Sequence, residues 1–264
     1  MKALKIFAAL LLSLVVSHNA MAWGKSGHSI SAYIAEQHLS DKAKAECQRY
    51  LKHSLPYFAS WQDHWRYCDG FEEVCTAHAH YVNVDFSLRG KGSPDRDPVS
   101  RIDKITKEME KGKYKSMPDS IVAMNLKLLI HMVGDMHCPG HITYHPDSNY
   151  PVKMKIVIKG KPMARHKFWD GAPTILHPKW KLERFCKEYD TYSPKEIKKI
   201  CKGTPYKWGD VAAREMVKTF DYWKDGQSYK SLSKEKRVAI EELMHETLAV
   251  GGYRLAAVLN RIFK

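Results

Sequence analysis

Apolar residues recur at intervals of three and four along most of the chain, the pattern of helices that bury one face. The segments with this pattern are 30–39, 99–109, 121–136, 197–201, 211–222 and 238–263. One stretch, 153–159, alternates instead and ends at Gly160, which predicts a strand. Clusters of Gly and Pro at 90–98 and 139–151 predict surface loops. Because no repeat or long linker divides the chain, we predict one mainly α domain with a small β-hairpin.

The first 22 residues have the three-part layout of a secretory signal peptide. A basic start precedes an apolar run at 6–16, which is too short to span a bilayer, and Ala20-Met21-Ala22 is a small-residue cleavage sequence. We expect a mature protein of residues 23–264, secreted or periplasmic, without a membrane anchor. Its first residue, Trp23, would carry a free amino group that can bind metal. Retention of the segment as an amphipathic anchor is the alternative.

The charge balance indicates an affinity for polyanions. The chain has a formal net charge of +14, from 43 Lys and Arg against 29 Asp and Glu. Such an excess attracts nucleic acid first of all. The basic residues are spread along the chain, however, and ordinary solvated lysine faces account for most of them.

The six cysteines are an even number in a chain that we expect to be exported, which favours disulfides over thiolate metal sites. Several connectivities are compatible with the sequence. The pairs favoured by short separation, with the pair left over, are Cys68–Cys75, Cys186–Cys201 and Cys47–Cys138.

Two His/Asp pairs have the spacing of metal ligands. His131 and Asp135 are four residues apart on a predicted helix, so they point from one face and can reach a single cation. His166 and Asp170 repeat this spacing, and His141 lies in a Pro- and Gly-containing turn between the pairs. A set of imidazole and carboxylate ligands suits zinc better than calcium or magnesium. The alternative is two unrelated surface pairs.

These residues belong to motifs that resemble those of the S1/P1 nucleases, a family of secreted zinc-dependent nucleases. The matching motifs are Trp23 with His28, Trp61-x-Asp63-x-x-Arg66, His80-Tyr-Val-Asn83, His131-x-x-x-Gly-Asp135 with His141, and His166-x-x-Trp169-Asp170. The match runs from Trp23 to at least Asp170, and the last third of the chain agrees only in helical character. The resemblance implies a single helical domain of the phospholipase C/P1 nuclease type.

The resemblance also implies three zinc ions per chain. The ligand sets would be Asp63, His80, His131 and Asp135 for one ion, Trp23 and His28 with Asp135 as a bridge for its neighbour, and His141, His166 and Asp170 for the third. Asp63 and Arg66 would act in catalysis, and Tyr81 and Asn83 would contact a substrate base. From the residues alone, Arg66 could equally pair with a carboxylate, and Tyr81 could simply pack.

The implied function is a zinc-dependent endonuclease that hydrolyses single-stranded DNA and RNA to products with a 5′-phosphate, with 3′-nucleotidase action as a further activity. We expect a monomer. The alternatives are a zinc-dependent phospholipase C, of similar fold, and a non-catalytic zinc-containing protein that binds polyanions. The interval of five residues from Trp23 to His28 is shorter than in the phospholipases. Mixed His/Asp ligands that leave room for water argue against a purely structural zinc.

Two motifs depart from the usual family sequence. The chain has Cys138-Pro-Gly-His141 where the family usually has Gln-Pro-Leu-His, and Ala164-Arg165-His166 where it usually has Asn-Leu-His. The ligands themselves are present, so these departures affect the shape of the cleft beside them. Arg165 would either contact phosphate or be solvated, and we favour solvation.

Overall fold

In the computed structural model, residues 23–65, 82–84, 98–144, 150–151 and 153–264 are described. This part of the chain is mainly helical, as predicted. The α-helices are α1 (Lys25–Gln37), α2 (Asp41–Leu51), α3 (Leu55–Phe58), α4 (Trp61–Trp65), α5 (Pro98–Met109), α6 (Asp119–Met136), α7 (Arg165–Leu176), α8 (Leu182–Tyr189), α9 (Pro194–Ile200), α10 (Pro205–Val217) and α11 (Lys234–Ile262). Short 3-10 turns cover Lys113–Ser116, Pro139–His141, Lys218–Asp221 and Tyr229–Ser231.

The strands form two small sheets. They are β1 (Val82–Val84), β2 (Ile142–Tyr144), β3 (Lys155–Ile158), β4 (Lys161–Ala164) and β5 (Gln227–Ser228). β1 pairs in parallel with β2, while β3 pairs with β4 in an antiparallel hairpin and with β5 in parallel. Lys159 and Gly160 connect the hairpin with φ of 49° and 79°, the left-handed backbone of a tight two-residue turn. The predicted strand and hairpin are confirmed.

The core is built around α11, which packs most extensively against α1. Gly252 permits the close approach, because a Cβ at that position would lie 2.8 Å from the side chain of Ile34. Ser31 of α1 donates a hydrogen bond to the carbonyl of Leu248 at 2.9 Å, which fixes the two helices in register. α6, almost wholly buried beyond its first turn, packs against both helices. None of the described helices has an apolar stretch long enough to cross a membrane.

The helices α3, α4, α7 and α8 were not predicted from the sequence, and three further elements differ from the prediction. α2 was not predicted, since it offers only Ala43, Cys47 and Leu51 to the core, and Ser40 caps its start. The helix predicted at 211–222 begins earlier, at Pro205, because the side chain of Thr204 accepts a hydrogen bond from the Lys207 backbone amide and caps that end. The prediction of a surface loop at 139–151 is partly wrong, because residues 139–142 are buried and β2 pairs with β1. Of the predicted loop 90–98, only Pro98 lies within the described residues, where it begins α5.

The predicted disulfides among the described cysteines are absent. Cys47, Cys138, Cys186 and Cys201 are free thiols. The thiol of Cys201 donates to the Tyr253 carbonyl at 3.3 Å, and that of Cys138 contacts the Asp170 carboxylate at 3.8 Å, so both are engaged within their own surroundings. Cys68 and Cys75 lie outside the described residues.

Candidate metal centre

Five separate segments bring the predicted ligands together. α1 carries His28, α4 carries Asp63, α6 carries His131 and Asp135, the Pro139–His141 turn carries His141, and α7 carries His166 and Asp170. All are buried except His166, whose side chain is 26% exposed. The centre is therefore an interior site with one accessible edge.

The first group lies between α1 and α6. Nε2 of His28 is 3.2 Å from Oδ1 of Asp135, and Nε2 of His131 is 3.1 Å from Oδ2 of the same carboxylate. The two imidazole rings stack with their centroids 4.2 Å apart. Asp63 approaches from α4, with Oδ1 3.7 Å from Nε2 of His131. One carboxylate thus faces two histidines, with a second carboxylate beside them.

A backbone contact orients His131 for metal binding. Its Nδ1 lies 2.9 Å from the carbonyl of Ala59. Since a carbonyl can only accept, Nδ1 carries a proton, and Nε2 is the ring nitrogen that faces the carboxylates and is available to a metal. A metal-binding histidine usually donates its other ring N–H to a carbonyl or carboxylate in this way, which fixes its tautomer.

The second group lies between the Pro139–His141 turn and α7. Nε2 of His141 is 2.8 Å from Nε2 of His166 and 3.6 Å from Oδ1 of Asp170. Nε2 of His166 is 3.3 Å from the other oxygen of Asp170. Nδ1 of His141 also lies 3.4 Å from Oδ1 of Asp135, so the two groups form one continuous cluster.

The donor atoms fit bound cations better than they fit one another. Nδ1 of His28 is buried and makes no hydrogen bond with any described residue, and Nε2 of His28 and Oδ2 of Asp170 face their nearest partners at 3.2 Å and 3.3 Å without hydrogen-bond geometry. Leaving buried polar atoms unsatisfied costs about 1–3 kcal/mol each. Ligand atoms of His28, His131 and Asp135 all lie within 4.8 Å of one another, as do those of Cys138, His141 and Asp170. Imidazole and carboxylate donors at such distances suit a transition metal such as zinc.

Burial and neighbouring charge set the protonation of these groups. Burial, and then the charge of His131, lower the pKa of His28. Burial opposes charge on Asp135, yet His131 and His141 hold its pKa well below the usual range. Burial likewise opposes charge on His131, but Asp135 raises its pKa. Burial raises the pKa of Asp170 to about 6, with His141 acting against it. A neutral His28 and an ionised Asp135 are the forms that bind metal.

The backbone at the predicted cleavage point lies against α7. Trp23 is fully buried, and the amide of Gly24 donates to the carbonyl of Asp170 at 2.7 Å. Gly27 packs on the Trp23 ring so closely that a Cβ would lie 2.7 Å from it. Across the cluster, a Cβ at Gly134 would lie 2.6 Å from Nδ1 of His28. Gly134 therefore allows the close approach of α6 to α1 on which the first group depends.

Arg165 is buried, which corrects the expectation that it is solvated. Its Nη2 donates to the Pro139 carbonyl at 3.0 Å and to the Thr219 hydroxyl at 2.6 Å. Its guanidinium also lies 4.4 Å from the centre of the Phe220 ring. Arg165 thereby ties the start of α7 to the turn that carries His141.

Sequence reasoning also missed the place of Cys138. It assigned this residue to a disulfide, whereas the thiol lies against Asp170 inside the second group. The sequence held one indication that Arg165 and Cys138 take part in the site: both lie next to predicted ligands, in motifs that depart from the usual family sequence.

Four predicted site residues are not tested by this geometry. Arg66, His80 and Tyr81 lie outside the described residues. Asn83 is in β1, where its backbone is in register with Thr143 of β2. That pairing brings the segment after His80 next to the segment after His141.

Comparison with known proteins finds similarity to nucleases. The S1/P1 Nuclease family matches residues 23–264. Nuclease S1 of Aspergillus oryzae is 24% identical over 95% of this chain and 95% of its own length. Endonuclease 4 of Arabidopsis thaliana is 24% identical over 97% of this chain and 94% of its own. Nuclease P1 of Penicillium citrinum is 28% identical over 56% of this chain and 57% of its own.

The family match covers the whole cluster and the helices that carry it. Membership supports a nuclease activity on nucleic acids, that is, hydrolysis of phosphodiester bonds. Because the family model matches residues 23–264, the chain belongs to the S1/P1 nuclease family.

Proposed function

We propose that this protein is a zinc-dependent endonuclease that cleaves single-stranded DNA and RNA and leaves 5′-phosphates, with 3′-nucleotidase action on short products. One observation carries the proposal: the carboxylate of Asp135 lies within 3.4 Å of His28, His131 and His141. A buried carboxylate shared by three imidazoles is suited to bridge cations. The names of the relatives, Nuclease S1 and Endonuclease 4, support the same reaction class.

Each proposed zinc ion would be held by its own set of residues. We assign Asp63, His80, His131 and Asp135 to one zinc, Trp23 and His28 with Asp135 to its neighbour, and His141, His166 and Asp170 to a third. Zinc bound in such a site polarises phosphate oxygens and lowers the pKa of a bound water to about 7. Asp63, at the edge of the first group, would orient the attacking water.

Substrate would approach from the edge at His166, the most exposed of the ligands that the structure describes. Arg66 would hold a phosphate oxygen through its fork of donors. Tyr81 and Asn83 would take an unpaired base, by stacking and by hydrogen bonding, which favours single strands over duplex. The net charge of +14 would strengthen the approach of any polynucleotide.

Processing of the N-terminus is part of the proposal. Removal of residues 1–22 would leave residues 23–264 as a secreted or periplasmic catalytic domain, which we expect to act as a monomer. It would also free the amino group of Trp23 as a ligand. The burial of Trp23 and the bond from Gly24 to Asp170 support this, because they hold the new terminus against the ligand cluster.

The test is hydrolysis by the mature protein of single-stranded DNA, duplex DNA, RNA and phosphatidylcholine, with zinc content determined on the same sample. We expect cleavage of single strands, close to three zinc ions per chain, and loss of both activity and zinc in Asp135→Ala. Asp103→Ala is the matched control, since it removes a carboxylate that pairs with Lys107 on α5. Cleavage of phosphatidylcholine alone would replace the nuclease by a phospholipase C. Zinc binding without either activity would leave a polyanion-binding protein.

A further inference from the structure

The thiol of Cys138 occupies the second group of ligands, at a position where the family usually has glutamine. It is fully buried, and its Sγ lies 3.8 Å from Oδ1 of Asp170. Sγ, a ring nitrogen of His141 and a carboxylate oxygen of Asp170 are all within 4.8 Å of one another. Thiolate is a strong ligand for zinc and for other soft cations.

The spacing of these atoms is close to that of a tetrahedral site. With bonds of about 2.0 Å to nitrogen or oxygen and 2.3 Å to sulfur, the edges of a zinc tetrahedron are about 3.3 Å between N and O and about 3.5 Å between S and O. The corresponding separations here are 3.6 Å from His141 to Asp170 and 3.8 Å from Cys138 to Asp170. A small contraction around a cation would bring all three into contact with it.

An independent observation also indicates a missing ligand. Asp170 is only 5% exposed, and its Oδ2 accepts no hydrogen bond from the described residues. Oδ1 accepts a long contact from the Cys138 thiol, and the nearest group to Oδ2, Nε2 of His166 at 3.3 Å, is not in hydrogen-bond geometry, so the carboxylate can accept a further partner. The thiol of Cys138 is not consumed in the predicted disulfide, because Cys138 and Cys47 are both free thiols.

We propose that the thiolate of Cys138 is a fourth protein ligand, with His141, His166 and Asp170, of the metal ion at this site. The inference rests on the proposed function, because it requires that this group binds a metal. On binding, the S–H proton passes to solvent and the sulfur lone pair forms the bond to the cation. A sulfur ligand makes the site softer than its neighbour, so it should favour zinc and cadmium over magnesium and manganese.

Cobalt substitution tests the proposal without an activity measurement. The mature protein is stripped with chelator and titrated with Co²⁺, while visible d–d bands and near-ultraviolet thiolate-to-cobalt charge transfer are recorded. We expect both signals in the wild type, and loss of the charge-transfer band with retention of d–d bands in Cys138→Ser and in Cys138→Gln, which restores the usual family residue. Cys186→Ser, a buried cysteine on α8, is the control and should keep the charge-transfer band.

The outcomes separate the two proposals. Visible cobalt bands in the wild type without charge transfer would overturn the role of Cys138 and leave the metal-dependent nuclease intact; Cys138 would then only donate a hydrogen bond to Asp170. Charge transfer that survives in Cys138→Ser would also overturn it, since another thiol would be the source. If the wild type binds no cobalt or zinc at all, the metal centre and the proposed function fail together.

Discussion

Replacing Arg165 by Met should weaken metal binding without touching a ligand. The change removes hydrogen bonds to Pro139 and Thr219 and the contact with the Phe220 ring, while keeping a long apolar side chain. The buried Pro139 carbonyl then loses this donor, at about 1–3 kcal/mol. The ring contact adds about 1–2 kcal/mol in a desolvated setting. The turn that carries His141 would no longer be held against the start of α7.

Part of this loss of stability is offset in Arg165→Met, because the substitution also removes a buried guanidinium whose desolvation costs free energy in the native protein. Burial lowers the pKa of Arg165 to about 10, and its Nε makes no hydrogen bond with the described residues. We therefore expect a net decrease of about 2–3 kcal/mol in the free energy of unfolding of the metal-free protein. Changes of residues that position metal ligands typically lower metal affinity 10–100-fold, so zinc binding should weaken by that factor.

Urea unfolding of stripped protein and zinc competition with a chromophoric chelator measure the two effects separately. Arg237→Met is the matched control, since Arg237 also donates to backbone carbonyls, those of Lys230 and Leu232, at a distance along the chain from any ligand. It should lower stability and leave zinc affinity unchanged. Equal zinc affinity in Arg165→Met and wild type would refute the argument that Arg165 positions His141.

Three further predictions follow from close contacts and from charge. Gly252→Ala should destabilise the protein by about 1–3 kcal/mol in thermal or urea unfolding, because its Cβ would meet Ile34 at 2.8 Å, whereas Gly251→Ala, whose nearest contact is 3.4 Å, should change stability little. Gly134→Ala should displace His28 and lower the zinc content per chain, and unaltered zinc content would mean that His28 is not a ligand. Since the pKa of Asp170 is raised to about 6, the folded metal-free protein holds that proton more tightly than the unfolded chain, so stability should fall as pH rises from about 4 to about 6, by up to about 3 kcal/mol. Asp170→Asn should remove that fall in urea unfolding at a series of pH values, and an unchanged slope would contradict the assignment.

Spacing along the sequence predicted the parts of the site that are local. His131 with Asp135 and His166 with Asp170 lie one helical turn apart, and each pair does converge, with separations of 3.1 Å and 3.3 Å. Helix existence was predicted equally well where the apolar stripe is long, as in α6. α2 escaped prediction because its buried positions are few and one of them is a small alanine.

What the sequence could not predict is how the pairs approach each other. Arg165 was expected to be solvated, yet Thr219 and Phe220, more than fifty residues later, cover it. The segment after Asp135 was expected to be a surface loop because it contains Gly and Pro. Its burial depends on pairing with β1 and packing on α7, neither of which leaves a mark in local sequence.

The departures from the usual family sequence are neighbours in space, and they are best explained as one coordinated change. A Cβ at Gly140 would lie 2.9 Å from Cδ2 of His166, so the leucine usual at this position could not be accommodated without moving α7 away from the turn. With glycine there, the turn lies close enough for Arg165 to hold the Pro139 carbonyl, and the thiol of Cys138 reaches Asp170. It follows that Gly140→Leu alone should displace the second group of ligands, whereas changing Cys138, Gly140 and Arg165 together to the usual family residues should displace it less.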